Sequence, residues 1–357
     1  MKILMTCTLV CLFSISSVYA DSAIKPDEEI ILFPSNAFQK KDKKIWKVII
    51  HGWVFESVSD IKRVFTQLFQ LKPKTVSEKR LYKQRSRYFL VDNERGKVVT
   101  ISLNGKQFRL HPSRPNGHFS RTLLLANKDM GVSSSNKEKL YFRVLLNKDD
   151  HRKYIGRVQL VSASGLSIIS DIDDTIKISN VLNKKELMSN TFLRPFRAAP
   201  GMAALYRRLQ KQGAVFHYVS ASPWQLYPPL EQFREQHRFP AGSFHLKSFR
   251  WRDRSFFNIF KSSVNYKIAV IEGIIKDSPG RQFILIGDSG EHDPEVYGVI
   301  ARRYPHNIRW IWIRNIKNEK PDSKRFQQTF KNINPDVWRL LPEKNVKTEK
   351  LLKMIRD

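Results

Sequence analysis

Residues 166–179 read LSIISDIDDTIKIS, a mostly apolar run that ends abruptly in three acids, Asp171, Asp173 and Asp174. A carboxylate at the mouth of a buried strand costs free energy unless something pairs with it. The fold must therefore bring compensating groups to that point. The chain beyond these acids restricts the choice of fold. Met202, Leu205 and Leu209 recur at helical spacing over 201–212, with Gly213 as a stop, and AVFHYVS (214–220) reads as a strand. A helix is expected after Trp224, carrying Leu230 and Phe233, and another from near Lys267, with Ile268, Ile271 and Ile275 inward. FILIGD (283–288) reads as a short buried strand, PEVYGVIARR (294–303) as a helix and IRWIWIR (308–314) as a last strand. Strands alternating with helices predict an α/β fold, a Rossmann-like parallel sheet with helices on both faces.

In such a sheet ligands bind outside the carboxyl ends of the strands. That edge would collect Asp171, Asp173, Asp174 and Thr175 from the first strand, Ser220 and Ser222 from the second, and Asp288 and Ser289 from the third. Asp293 comes soon after, and Lys267 opens the preceding helix. Clustered carboxylates suit a hard divalent cation, and Mg²⁺ favours one or two carboxylates together with water and substrate phosphate oxygens. One carboxylate can then act as a nucleophile, forming an aspartyl-phosphate. An acid two positions on can protonate the leaving oxygen. Taken singly, each feature has an ordinary reading: acids after a strand cap helices or make turns, Ser220 is a polar strand end, and Lys267 is a solvated helix residue. The ordered set of four carries the chemical argument.

DIDDT (171–175), HYVSASP (217–223), Lys267 and GDSGEHD (287–293) resemble the four motifs of the haloacid dehalogenase superfamily of phosphotransferases. SDIDDTI, YVSASPWQLY, FILIGDSGEHDPEVY and the later RYP…IWIR are more closely similar to the catalytic domain of the actin-patch type phosphatidate phosphatases and their bacterial relatives. The resemblance covers about 165–315, with a weaker echo in HGWVFE (51–56). It implies a haloacid dehalogenase-like phosphatase domain using Mg²⁺. Asp171 would be nucleophile and metal ligand. Asp173 would be general acid and then base, its backbone carbonyl reaching the metal. Thr175 would support the loop. Ser220 would bind a phosphoryl oxygen, Lys267 would neutralise charge, and Asp288 and Asp293 would complete the metal site. Asp174 stands where many superfamily members have glycine, in keeping with this branch. FHLKSFRWRDR (244–254) departs from the arginine–aspartate pair expected after the second motif.

The rest of the chain divides around this segment. MKILMTCTLVCLFSISSVYA (1–20) reads as an export signal cleaved before Asp21, implying a periplasmic or secreted protein. Both cysteines, Cys7 and Cys11, lie within it, so the mature chain would have no disulfide. No later segment is apolar enough to cross a membrane. Residues 21–165 read as a smaller β-rich domain. Its strands are expected in 45–55, 87–93, 97–105, 141–147 and 154–162, with a helix over 59–71 and an exposed loop over 127–139. Residues 316–357 read as a basic tail, helical near Val337 to Leu341. The formal charge of +30 favours polyanionic partners, and export argues against nucleic acid. The stretches 176–214 and 223–266 are short for a full cap over the site. An open site and a basic exterior suit a lipid phosphomonoester such as phosphatidate, held on an anionic membrane surface. The alternatives are a phosphatase for soluble phosphomonoesters and a noncatalytic binder of anionic lipid or glycan. Trp224 and Tyr227 would line the site entrance or serve in ordinary packing. Oligomeric state is open.

Overall fold

The computed structural model describes residues 23–42, 44–57, 71–131, 139–248 and 264–344, with scattered residues from 346 to 353. The expected export signal, and the helix expected over 59–71 apart from Leu71, lie outside the described residues.

The first unit is a mixed nine-stranded sheet: β1 (Glu28–Leu32), β2 (Ser35–Gln39), β3 (Ile45–Ser57), β4 (Val91–Asn93), β5 (Thr100–Leu103), β6 (Lys106–Arg109), β7 (His118–Ala126), β8 (Lys139–Leu145) and β9 (Ile155–Val161). β3 is its spine, pairing with β1, β2, β4 and β7. Trp46, Val48 and Ile50 point into the unit's own core with half-buried residues between them, the period-2 alternation of a strand with one wetter face. From Gly52 to Phe55 every residue is buried. There the opposite face, Trp53 and Phe55, packs against the second unit. Loss of alternation thus marks where the two units meet.

The second unit is a six-stranded parallel sheet ordered β12-β11-β10-β13-β14-β15, made of β10 (Gly165–Ser170), β11 (Val215–Pro223), β12 (Gly242–Lys247), β13 (Arg281–Asp288), β14 (Ile308–Asn315) and β15 (Trp338–Pro342). Successive side chains take opposite faces. Ile168, Ile284 and Ile286 meet Met202, Leu205, Leu209, Leu230 and Phe233, while Ile169, Leu285 and Ile311 meet Ile271, Ile275, Val296 and Ile300. The parallel sheet with helices on both faces is therefore as expected, and a β-rich unit precedes it. The chain runs outward from β10 to β12, then returns to continue through β13 to β15 on the other side. The switch point falls between β10 and β13, where a ligand crevice opens in such sheets.

Several local expectations give way. Trp338–Pro342, placed in a basic tail and read as helical, is β15, parallel to β14. Leu341 packs on one face of the sheet and Trp338 and Leu340 on the other. So short an apolar run does not distinguish strand from helix by period alone. Residues 87–89 form a 3₁₀ turn before β4 rather than a strand. The basic run after Thr75 is a helix, Val76–Ser86, with no apolar stripe to betray it. Its signal was the capping box: the Thr75 hydroxyl accepts from Glu78 N and the Glu78 carboxylate accepts from Thr75 N. Residues 127–130 in the expected loop form one short helical turn. Among the described residues of 176–214 and 223–248, the helices Lys184–Phe192, Met202–Lys211 and Tyr227–Gln236 lie against the sheet, and β12 extends its edge.

Arg281 staples the units together, donating to Ser162 O (3.0 Å), to Ser167 Oγ (2.7 Å) and to the carbonyls of Ser164 and Leu166 across the β9–β10 link. Asn36 donates to Ser243 Oγ at 3.0 Å, and Lys47 pairs with Asp277 at 2.7 Å.

Candidate active site

β10 and β13 are hydrogen-bonded neighbours, so the acids just past their ends emerge side by side. Asp171 N donates to Ile286 O at 2.9 Å, locking the end of one strand to the other. Asp171, Asp288 and Asp293 offer carboxylate oxygens that all lie within 4.8 Å of one another, and all three residues are buried. Gly287 makes room for this arrangement, because a Cβ there would stand 2.4 Å from Asp293 Oδ2. That oxygen accepts from Asp288 N at 3.2 Å. Lys267 reaches in from the helix Val264–Asp277, with Nζ 2.8 Å from Asp171 Oδ1, 2.5 Å from Asp293 Oδ1 and 3.7 Å from Glu291.

The charge does not balance. Four acids face this lysine. Burial pushes Asp171 well above the usual carboxylate range; Lys267 opposes the shift, and Asp293 and Glu291 add to it. Burial and the charges of Asp293 and Asp171 do the same to Asp288. Glu291 is pushed up to about 7, first by burial. Burial alone would lower the Lys267 ammonium, but Asp171, Asp293 and Glu291 outweigh it and hold the pKa well above its ordinary value.

Two carboxylate oxygens at the centre, Asp171 Oδ2 and Asp288 Oδ2, are buried and accept no hydrogen bond. Three oxygen ligands, two with unspent lone pairs and no nitrogen or sulfur among them, fit a hard cation of the Mg²⁺ type.

Asp173 stands apart from that cluster. Expected to reach the metal through its backbone carbonyl, it directs its carboxylate away from the other acids. Oδ1 accepts from Ser179 Oγ at 2.7 Å and lies 2.8 Å from Lys177 Nζ; Oδ2 accepts from Ser222 Oγ at 2.8 Å and Ser220 Oγ at 3.1 Å. Burial would raise its pKa, but Lys177 and the hydroxyls of Ser179 and Ser222 hold it down to about 2. In this arrangement Asp173 is held in its charged form, and Ser220 donates to it. Thr175 is buried with its hydroxyl unpaired. The loop is held instead by Asp174, at φ +52°, whose carboxylate accepts from Ser179 N, Asn180 N and Val181 N at 2.7–2.9 Å. Trp224 and Tyr227 are both buried: Trp224 lies 4.2 Å and Tyr227 5.1 Å, centroid to centroid, from Phe33 of the first unit.

Sequence reasoning overlooked four residues here. Lys177 is a lysine within IKIS, and its place in an otherwise apolar stretch was the available signal. Glu291 lies within GDSGEHD, between two acids that drew the attention. Arg314, buried at the end of β14, donates to the carbonyls of Asp174 and Glu343. Arg325 comes from the segment read as a tail. It donates to Ser289 O and Glu291 O, each at 2.6 Å, and pairs with Glu295 at 2.8 Å, clasping the loop between Asp288 and Asp293. Nothing local to Arg325 in sequence announces that role.

The family described as phosphatidate phosphatase APP1, catalytic domain, matches residues 166–315. The chain is 39% identical over 166 residues to phosphatidate phosphatase APP1 of Saccharomyces cerevisiae, covering 45% of this chain and 28% of that protein. It is 31% identical over 195 residues to an uncharacterized protein of Schizosaccharomyces pombe, covering 54% of this chain and 32% of that one. The chain thus spans less than a third of the length of these two relatives. The strand ends that gather Asp171, Ser220 and Asp288, and the helix that brings in Lys267, all fall inside residues 166–315, the segment that matches the phosphatidate phosphatase APP1 catalytic-domain family.

Proposed function

We propose that the chain is a Mg²⁺-dependent phosphatase with a haloacid dehalogenase-like catalytic domain, acting through an aspartyl-phosphate on phosphatidate or a related lipid phosphomonoester at a membrane surface. The observation that carries the reading is the buried group Asp171, Asp288 and Asp293 beside Lys267, with two carboxylate oxygens left unpaired. Bound there, Mg²⁺ would supply charge neutralisation for the acids and for a phosphoryl group. Asp171 is the nucleophile, and Lys267, donating to its Oδ1, orients the carboxylate and offsets its charge. The phosphoryl–oxygen bond to the leaving alcohol breaks as the bond to Asp171 forms, and the alcohol oxygen takes a proton. As the phosphoryl group draws off the Ser220 and Ser222 hydroxyls, losing those donors raises the pKa of Asp173, which takes up a proton from solvent and passes it to the alcohol oxygen. As a base it then removes a proton from the water that releases phosphate from Asp171.

The lipid part of the reading is supported by the activity for which the yeast relative is named and by the formal charge of +30. No helix among the described residues is long and apolar enough to cross a membrane, so docking on a surface rests on charge. The test is phosphate release from phosphatidate vesicles and from a soluble ester, with and without Mg²⁺, over a salt series. Release from vesicles should need Mg²⁺ and fall with salt, because screening cuts the reach of surface charge to about 8 Å at physiological ionic strength. Hydrolysis of the soluble ester alone would reject the lipid substrate. No turnover of either would reject the enzyme.

A further inference from the structure

A second cavity, of about 290 Å³, lies between the two sheets. Its walls carry Arg114 and Ser120 from the first unit, the imidazoles of His51 on β3 and His118 on β7, and Trp224 and His245 from the second. Among the described residues, no aspartate or glutamate lines it. Arg114 is exposed on the turn before β7, and no carboxylate among the described residues pairs with it. His51 Nε2 and His118 Nδ1 are 3.1 Å apart, so one ring donates to the other. Both rings are neutral near pH 7: burial, with Arg114 and, for His51, the neighbouring histidines adding to it, pushes His118 down to about 4 and His51 well below its usual value. Whichever of the two nitrogens carries the shared proton, one further N–H remains on the pair.

A guanidinium without a counter-ion, a spare imidazole N–H and a serine hydroxyl make a cavity of donors. A metal is a poor fit. Arg114 repels cations, and among the described residues the group that brings three ligand atoms together is the aspartate cluster, not these histidines. We propose that this cavity is an anion site that takes a phosphate group, distinct from the phosphate that reacts at Asp171. Its volume is at the small end of ligand sites. It has room for a phosphate with a short polar headgroup and excludes a pair of acyl chains. Trp224 forms part of the wall, 4.7 Å from the His51 ring centroid, and stands two residues past Ser222, whose hydroxyl holds Asp173 at 2.8 Å. A ligand here therefore bears on the segment that carries the serine pair.

The experiment compares full-length wild type, Arg114→Gln and, as a control of equal charge change, Arg143→Gln, which is exposed on β8 away from the cavity. In one arm inorganic phosphate is titrated calorimetrically into EDTA-treated protein, whose metal-free acidic site repels phosphate. In the other the proteins are sedimented with phosphatidylcholine vesicles with and without phosphatidate. Losing a charged hydrogen bond should weaken binding by about tenfold or more, in Arg114→Gln and not in Arg143→Gln. Weakening in the phosphate arm alone assigns the site to soluble phosphate. Weakening in the phosphatidate arm, with or without the other, assigns it to a lipid headgroup. Equal behaviour of Arg114→Gln and Arg143→Gln in both arms overturns the proposal. Since both arms read binding, the outcome does not depend on the catalytic reading.

Discussion

At the start of β1, Glu28 lies 2.5 Å from Lys97, with Lys25 and Glu94 beside them, two acids against two lysines. At the ends of β10 and β13, Asp171, Asp288, Asp293 and Glu291 face Lys267. Glu28 and Lys97 are as deeply buried as Asp171 and Lys267, so depth does not separate the two places. Balance does. A matched buried pair is roughly neutral in stability against an apolar replacement, and costly once one partner is removed. An excess of buried carboxylate is a standing cost in the metal-free fold, and it makes physical sense where a cation is to be bound. The first centre ties a strand to a loop; the second holds a charge deficit. Strand direction explains the location. Parallel strands put all their carboxyl ends on one side of the sheet, whereas the largely antiparallel first sheet gathers no such edge.

The strongest test of this contrast is Asp171→Asn. Turnover should fall by about a thousandfold or more, because the amide is a far poorer nucleophile and metal ligand. The thermal midpoint in EDTA should hold or rise, since the change removes excess negative charge while Lys267 keeps Asp293. Phosphate release and thermal unfolding on the same preparation measure both. A collapse in midpoint would make Asp171 structural and erase the distinction; near-normal turnover would remove it as nucleophile.

Lys97→Met probes the other side. It leaves Glu28 buried without its partner and should cost about 3–5 kcal/mol of stability in urea unfolding. Turnover per folded molecule should barely change, and Glu28→Leu added to Lys97→Met should restore most of the loss. If the single variant loses activity while remaining as stable as wild type, the first centre is not merely structural.

The two regions also differed in how legible they were. Much of the second unit was readable because β10, β11 and β13 are short apolar runs ending in a polar signature, and the helices Met202–Lys211 and Val264–Asp277 carry a stripe at 3.6 spacing; LSIIS, AVFHYVS and FILIGD all became strands close to their expected bounds, whereas β12 and the helix Lys184–Phe192 were not foreseen. Asp171, Lys267, Asp288 and Asp293 converge as their positions at strand and helix ends implied. The orientation of Asp173 was not legible. It depends on Lys177 and on hydroxyls from a loop and from the end of β11, a set fixed by packing rather than spacing. Arg325 and β15 were missed for a related reason: the charge of 316–357 masked one arginine aimed inward and one short apolar strand. In the first unit, Val76–Ser86 is held by its cap and by Arg85, buried and donating to Thr191 O and Arg194 O at 2.7 and 2.8 Å, where an apolar stripe would ordinarily do that work.

The junction of the two units adds a third way to bury polar groups, uncharged, and it yields the smallest predicted effect. His118 is buried against His51, Phe33, Trp53 and Trp224, with Arg114 at the rim. Burial pushes its pKa down to about 4, while in the unfolded chain it titrates at about 6.5. Proton counts give the sign. Between those values the unfolded state binds a proton that the folded state refuses, so stability is fully present above about 6.5 and is lost as the pH falls toward 4. The slope is roughly 1.4 kcal/mol per pH unit for each such histidine. Glu291 works in the opposite sense. With its pKa raised to about 7, it contributes stability at low pH that is lost as the pH rises through that value. The total curve therefore mixes the two, and the difference between wild type and His118→Gln isolates the histidine. Denaturant unfolding from pH 7 down to about 5 should show the variant losing stability less steeply than wild type. Parallel curves would mean that the His51–His118 pair takes up a proton without cost, and the junction would then belong with the balanced charge centre at Glu28 rather than apart from both.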